Sequence, residues 1–203
     1  MDKTIVLIGR SDYIDIIDQK GLYILTHTLP CATINWACTR FESIYNFFLD
    51  TYVHKMYNHK WLGNPTFVTT TFNEECVKDY PHDIYNEHRL YQTDKPFTDK
   101  TLLTAGFTHD FAISYLIKKG YKNIILLGVA DFENKDYAKG MNTRSNIQIK
   151  CSEKCKIKSK HLIENIFSKY ANIITLNPRS YLSVPKVSIR RLIGAKYCEH
   201  YDY

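Results

Sequence analysis

A chain of 203 residues, 44% of them hydrophobic, is long enough for one domain with a sizeable core, and needs neither disulfides nor a metal to fold. Its net charge of +6 attracts phosphates or an anionic surface but is well below the footprint of a dedicated nucleic-acid binder. Six cysteines without a regular framework, no apolar run of membrane-spanning length and only a six-residue apolar run after Met1 predict a soluble cytoplasmic protein with free thiols.

The first element is KTIVLIG (Lys3 to Gly9), a continuous apolar run that suits a strand buried on both faces of a parallel sheet. RSDYIDIIDQKG follows as a helix, with Ser11 as its N-cap and Gly21 as its stop. LYILTH and CATINW read as β-rich runs on either side of Pro30, and SIYNFFLD (Ser43 to Asp50) as a strand. TYVHKMYNHKW reads as a short helix, and PTFVTTTF (Pro65 to Phe72) as another strand. From Asn73 to Lys100 no period survives, which predicts a mobile lid or insert.

A helix from about Phe107 to Lys119 and a strand from Ile124 to Val129 come next. A polar, lysine-rich connection then leads to a helix in HLIENIFSKY, a last strand in ANIITLNP and a basic, aromatic tail. Strands alternating with helices, apolar throughout, predict a single α/β, Rossmann-like domain over 1–203. Its sheet would be mainly parallel, flanked by helices, with a lid at 73–100.

In such sheets ligands sit beyond the carboxyl ends of the strands, at a switch in strand order. Gly9 and Ser11 end the first strand, where a tight turn and helix N–H groups can meet a phosphate, or where the chain simply turns. Asn35 and Asp50 end later strands, as ligands for a ribose or base, or as ordinary caps. Thr104, Ala105 and Gly106 open a helix whose free N–H groups would stabilise an anion. Asp131 ends the next strand and would orient a sugar or base, or hold a divalent ion with Glu133.

Cys151, Cys155 and His161 match no common zinc spacing, so no metal site is expected. His109 and His161 are the histidines nearest the predicted site edges. The basic tail (Arg190, Arg191, Lys196) allows contact with DNA, and the sixteen tyrosines allow a protein interface.

The stretch TAGFTHDFAISYLIKKGYKNIILLGVADF, from Thr104 to Phe132, resembles the core of bacterial sialyltransferases of glycosyltransferase family 42. In that family a Thr-Ser-Gly step opens a helix, and Gly-Tyr-Lys, an apolar strand and Gly-x-Asp-Phe follow. IVLIGRS, Asn35 of CATINW and HLIENIFSKYANIITLNPRSYL also line up in order, and Asp50 falls where the family has a second asparagine. The departures are Ala105 in place of the serine, and one more residue in GVADF. Cys155 and lysines stand near the family's catalytic histidine, with His161 displaced towards the helix. Tyr137 matches one tyrosine of the family's phosphate-binding pair, and Phe132 stands at the other.

The resemblance implies a modified Rossmann-like fold with a flexible lid, binding a nucleotide-sugar (a CMP-sugar) without a metal or other cofactor. The sugar would pass to an acceptor hydroxyl. Gly9, Ser11, Asn35, Asp50 and Thr104 to Gly106 would hold the nucleotide, and Asp131 would orient sugar or base. Tyr137 would hydrogen-bond the leaving phosphate, and His161 would be the base. Two alternatives remain open: a transferase acting on modified bases in DNA, and a non-catalytic module that binds a nucleotide or a protein; a homo-oligomer is open in every reading.

Overall fold

Strand β1 (Lys3–Ile8) shows why the centre of the molecule forms as it does. Ile5 and Leu7 point to one face and Val6 and Ile8 to the other, and all four are inaccessible to solvent. A strand alternates its side chains, so an uninterrupted apolar run is stable only where both faces are covered. β7 (Tyr121–Leu127) repeats the pattern, with Ile124 and Leu126 on the first face and Ile125 and Leu127 on the second. Fully burying such a side chain contributes about 1.5–3 kcal/mol, which makes these two strands the anchor of the fold.

The computed structural model describes residues 2–50, 60–89, 100–130 and 153–194. Besides β1 and β7, the strands are β2 (Cys31–Ile34), β3 (Tyr45–Phe47), β4 (Thr66–Thr70), β5 (His82–Arg89), β6 (Thr101–Thr104) and β8 (Asn172–Thr175). They form one eight-stranded sheet in the order β6-β5-β4-β3-β2-β1-β7-β8, and every pairing is parallel. The expected α/β, Rossmann-like architecture is therefore present, with all strand exits on one edge. The order runs back through the sheet from β1 to β6 and resumes on the other side at β7, so the switch point lies between β1 and β7.

The helices are α1 (Tyr13–Ile16), α2 (Gln19–Thr28), α3 (Thr108–Lys118), α4 (Glu153–His161) and α5 (Ile189–Ile193). α3 covers one face, together with a π-helical turn at Leu162–Ile166 and a 3-10 turn at Phe167–Lys169 that continue α4. α2 and α5 cover the other face. The lower end of α3 is tied to β5 by polar contacts. The Tyr115 hydroxyl donates to Asp83 at 2.6 Å, and the Lys119 ammonium lies 3.0 Å from the same oxygen. Burial pushes the Asp83 carboxyl up, but these two partners and nearby His82 outweigh it and hold the group below its ordinary range. Tyr45 and Tyr85 pack edge-on against Tyr115 to complete this cluster.

Several expectations change here. LYILTH is not a strand but part of α2. Leu22, Ile24 and Leu25 bury one helical face, and the Asp18 side chain caps the Gly21 N–H at 3.2 Å. Gly21 therefore lies near the start of that helix instead of stopping one, and a Cβ there would come 3.0 Å from Ile189. The helix expected in HLIENIFSKY begins earlier, at Glu153, so His161 closes α4 rather than opening a helix. The expected lid contains β5, which pairs with β4 and β6; residues 82–89 are framework. Residues 90–99 of that segment, and most of TYVHKMYNHKW, lie outside the described residues. Among the described residues no helix is long and apolar enough to cross a membrane.

Candidate functional site

Gly9 leaves β1 pressed against the exit of β7. Its N–H donates to the Leu127 carbonyl at 2.8 Å, and a Cβ on Gly9 would lie 2.1 Å from the Gly128 carbonyl oxygen. Contact between the two strand exits, not room for a ligand, therefore requires a glycine. Gly128 has φ +61 and Ala130 also has φ +61, so β7 ends in left-handed backbone against the β1 exit. Ser11 is 8% exposed; its N–H donates to the Gly128 carbonyl at 3.2 Å and its hydroxyl accepts the Tyr13 N–H. Ser11 thus stabilises the turn before α1, one residue ahead of the helix N-cap Asp12.

Asn35 follows β2 with φ +53, a left-handed conformation that asparagine tolerates better than most residues. Its carbonyl accepts the Asn46 side-chain N–H at 3.0 Å and the Cys38 thiol at 3.2 Å. Asn46 is fully buried in β3, and its amide also donates to the Thr33 hydroxyl at 3.0 Å. The Oδ1 atoms of Asn35 and Asn46 are both buried and accept no hydrogen bond. Such atoms are rare, and each costs about 1–3 kcal/mol unless a donor reaches it. Asp50 lies beyond the end of β3, exposed at the same edge.

Thr104, Ala105 and Gly106 also lie at the carboxyl edge, but on β6, with β2, β3, β4 and β5 between them and β1. The N–H groups expected to be open are engaged. Ala105 N–H donates to Asp110 Oδ2 at 3.0 Å, Gly106 N–H to Thr104 Oγ1 at 2.8 Å, and the Phe107 backbone to the Asp110 carboxyl. Asp110 is in the first turn of α3, so the protein's own acid stands where an outside anion would bind. Its other oxygen accepts the Ser159 hydroxyl of α4 at 2.6 Å, and the Ser159 oxygen lies 2.9 Å from His109 Nε2. Because the serine proton points to Asp110, His109 Nε2 must be the donor to Ser159.

All three side chains are buried. Burial lowers the His109 pKa against the pull of the Asp110 charge. Burial also raises that of Asp110, opposed by the His109 charge and by donors from Ser159, Ala105 and Phe107. This unit joins α3 to α4. Sequence reading singled out His109 but missed both partners, because Ser159 is 49 residues from Asp110.

Gly9 and Ser11 stand at the switch point, Asn35 and Asp50 follow the strands β2 and β3 next to it on the β1 side, and Thr104–Gly106 lie apart at β6. His161 is exposed at the end of α4, its Nδ1 3.2 Å from the Asn165 amide. Asp131 and Tyr137 lie outside the described residues. Asn46 was missed, although a lone amide inside SIYNFFL is a signal the sequence carries. Among the described residues no group of three His, Cys, Asp or Glu side chains could hold a metal ion. Burial pushes the Cys31 and Cys38 thiols up to about 12, so both are poor nucleophiles. Arg190 of the basic tail is paired with Asp18 at 2.9 Å.

No family model matches the sequence, and no curated protein matches it. The fold is similar to that of the MAf glycosyltransferase from Magnetospirillum magneticum AMB-1. The TM-score is 0.62 at 12% identity, over 98% of this chain and 37% of that one. This chain thus spans little more than a third of the length of that enzyme, and the likeness is one of fold.

Proposed function

We propose that this protein binds a nucleotide-sugar over the exits of β1, β2 and β3 and transfers the sugar to an acceptor hydroxyl. The observation that carries this reading is the pair of buried acceptor oxygens, Asn35 Oδ1 and Asn46 Oδ1, at β2 and β3 next to β1. Two acceptors without donors favour a base with an exocyclic amine, such as cytosine, over uracil, which offers a carbonyl at that position. The fold shared with a glycosyltransferase supports the same class of ligand. In this reading Asp50 meets the ribose, Asp131 orients the sugar and Tyr137 donates to the leaving phosphate. His161 removes the acceptor proton, an imidazole nitrogen acting as the base.

Thermal melts with CMP, UMP, AMP and GMP test the site. A ligand at a hundredfold excess over its dissociation constant adds about 2.7 kcal/mol of stability. CMP is expected to stabilise most and UMP least; equal or absent shifts across the panel would sink the proposal. Donor hydrolysis or transfer with a CMP-sugar then separates an enzyme from a non-catalytic binder. A shift assay with duplex DNA carrying modified bases tests the remaining alternative.

A further inference from the structure

We propose that Thr33 is a positioning residue for base recognition. Its hydroxyl holds the Asn46 side-chain amide so that only the oxygen is left for a ligand, and the site therefore takes a base amine and refuses a carbonyl. The inference rests on the nucleotide reading above and adds the reason that one pyrimidine is favoured over the other.

An asparagine side chain carries an oxygen that accepts and a nitrogen that donates, on either side of one flat group. An amide free to turn over meets an amine or a carbonyl equally well, so it discriminates poorly between cytosine and uracil. Asn35 is of that kind, because its side chain makes no hydrogen bond among the described residues. Asn46 is not. It stands opposite Thr33 in the register of β2 and β3, and both residues are inaccessible to solvent. Asn46 Nδ2 lies 3.0 Å from the Asn35 carbonyl oxygen. That oxygen can only accept, so the Asn46 atom beside it must be the nitrogen.

The same nitrogen lies 3.0 Å from Thr33 Oγ1. The Thr33 proton goes to the Tyr45 carbonyl at 3.3 Å, and Ser43 Oγ lies 2.9 Å from the same hydroxyl. Thr33 therefore accepts from Asn46 with a lone pair, and both N–H groups of the amide are used inside the protein. Asn46 Oδ1 alone is left over, buried and without a donor. Turning the amide over would set its oxygen against the Asn35 carbonyl and lose both bonds. Thr33 fixes the amide without having to touch the ligand, and Asn35 follows whichever base Asn46 admits.

The ratio of CMP to UMP affinity reads this lock, because a merely structural loss weakens both ligands alike. Calorimetric titrations use the full chain in wild type, Thr33→Val and Thr33→Ser, each first shown to be folded. Valine keeps the branched shape and removes the acceptor, whereas serine keeps the hydroxyl. Wild type is expected to prefer CMP, Thr33→Val to lower that preference by roughly two- to tenfold, and Thr33→Ser to retain it. A preference that Thr33→Val leaves intact overturns the inference but not the nucleotide reading. So does an equal weakening of both ligands, or a Thr33→Ser variant that loses as much preference as Thr33→Val. Equal binding of CMP and UMP by wild type, or binding of neither, overturns both. If Thr33→Val does not fold, wild type is titrated with the 5′-monophosphate of the pyrimidin-2-one ribonucleoside, which lacks the group that distinguishes the two bases. A locked amide predicts that UMP binds more weakly than this analogue. UMP binding as well or better shows an amide that turns, and overturns the inference.

Discussion

The two ends of the carboxyl edge are built from similar materials and differ in what they leave unfilled. At β6, the Thr-Ala-Gly step has the look of an anion site, yet Asp110 and Thr104 accept its N–H groups. At β2 and β3, two asparagines look like ordinary strand-end residues, yet each keeps a buried oxygen without a donor. A site is marked less by the presence of suitable groups than by groups that the protein itself does not satisfy.

Four measurements would break or sharpen this contrast. Gly9→Ala places a Cβ 2.1 Å from the Gly128 carbonyl and forces the β1 and β7 exits apart. It is expected to cost about 3 kcal/mol by urea unfolding, the largest effect of the four. Asp110→Asn keeps the shape of the filled end but turns an amide donor towards at least one of the donors that now meet a carboxylate. A loss of roughly 2 kcal/mol is expected, with nucleotide affinity unchanged in the folded fraction. A parallel loss of affinity by calorimetry would return the ligand to the β6 end.

Asn35→Gly makes the opposite separation. Glycine keeps the left-handed backbone and relieves the cost of the unsatisfied oxygen, so the variant should be at least as stable as wild type. CMP affinity should fall roughly tenfold. A stable variant with unchanged affinity would show that the open end is not the site.

The smallest effect is one of pH. The folded His109 pKa is lowered, so the unfolded chain takes up this proton first, from about pH 6.5 downward. Stability is therefore lost as pH falls from that value through the lowered one. Asp110, whose pKa is raised, works in the other direction, adding stability as pH falls through its folded pKa towards the unfolded one. His109→Gln removes the first contribution and also the charge that opposes the rise of the Asp110 pKa. The drop in melting temperature between pH 7.5 and 5.5 should shrink in that variant, by less than about 1 kcal/mol in stability.

How far these features could be read from the sequence follows from where their physics resides. β1, β7 and β8 were legible because their apolar runs are the direct imprint of burial on two faces. β5, HDIYNEHR, was not. Its residues carry no period, because Asp83 and Tyr85 are placed to meet Tyr115 of α3 and Lys119 at its end rather than an apolar layer. LYILTH has strand-like composition, and the Asp18 cap together with the α5 side chains it packs against decided for a helix. The candidate residues Gly9, Ser11, Asn35 and Asp50 followed from the rule of strand ends. Which N–H groups at Ala105 to Phe107 would be engaged depended on Asp110 folding back and on Ser159 arriving from another helix.

The π-helical turn at Leu162–Ile166 gives that last contact a particular fragility. A π turn holds one residue more than an α turn, and each α-helical residue advances the side chains by about 100° around the axis. Leu162, Ile163 and Phe167 fix the later part of this segment against the sheet. Deleting a single residue from the turn would restore a regular helix and swing everything before it by about a quarter-turn or slightly more. Ser159 would then leave Asp110 while the apolar core stayed filled. The wide turn acts as a phase adjuster, setting the rotation at which α4 meets α3 independently of how its tail meets the sheet.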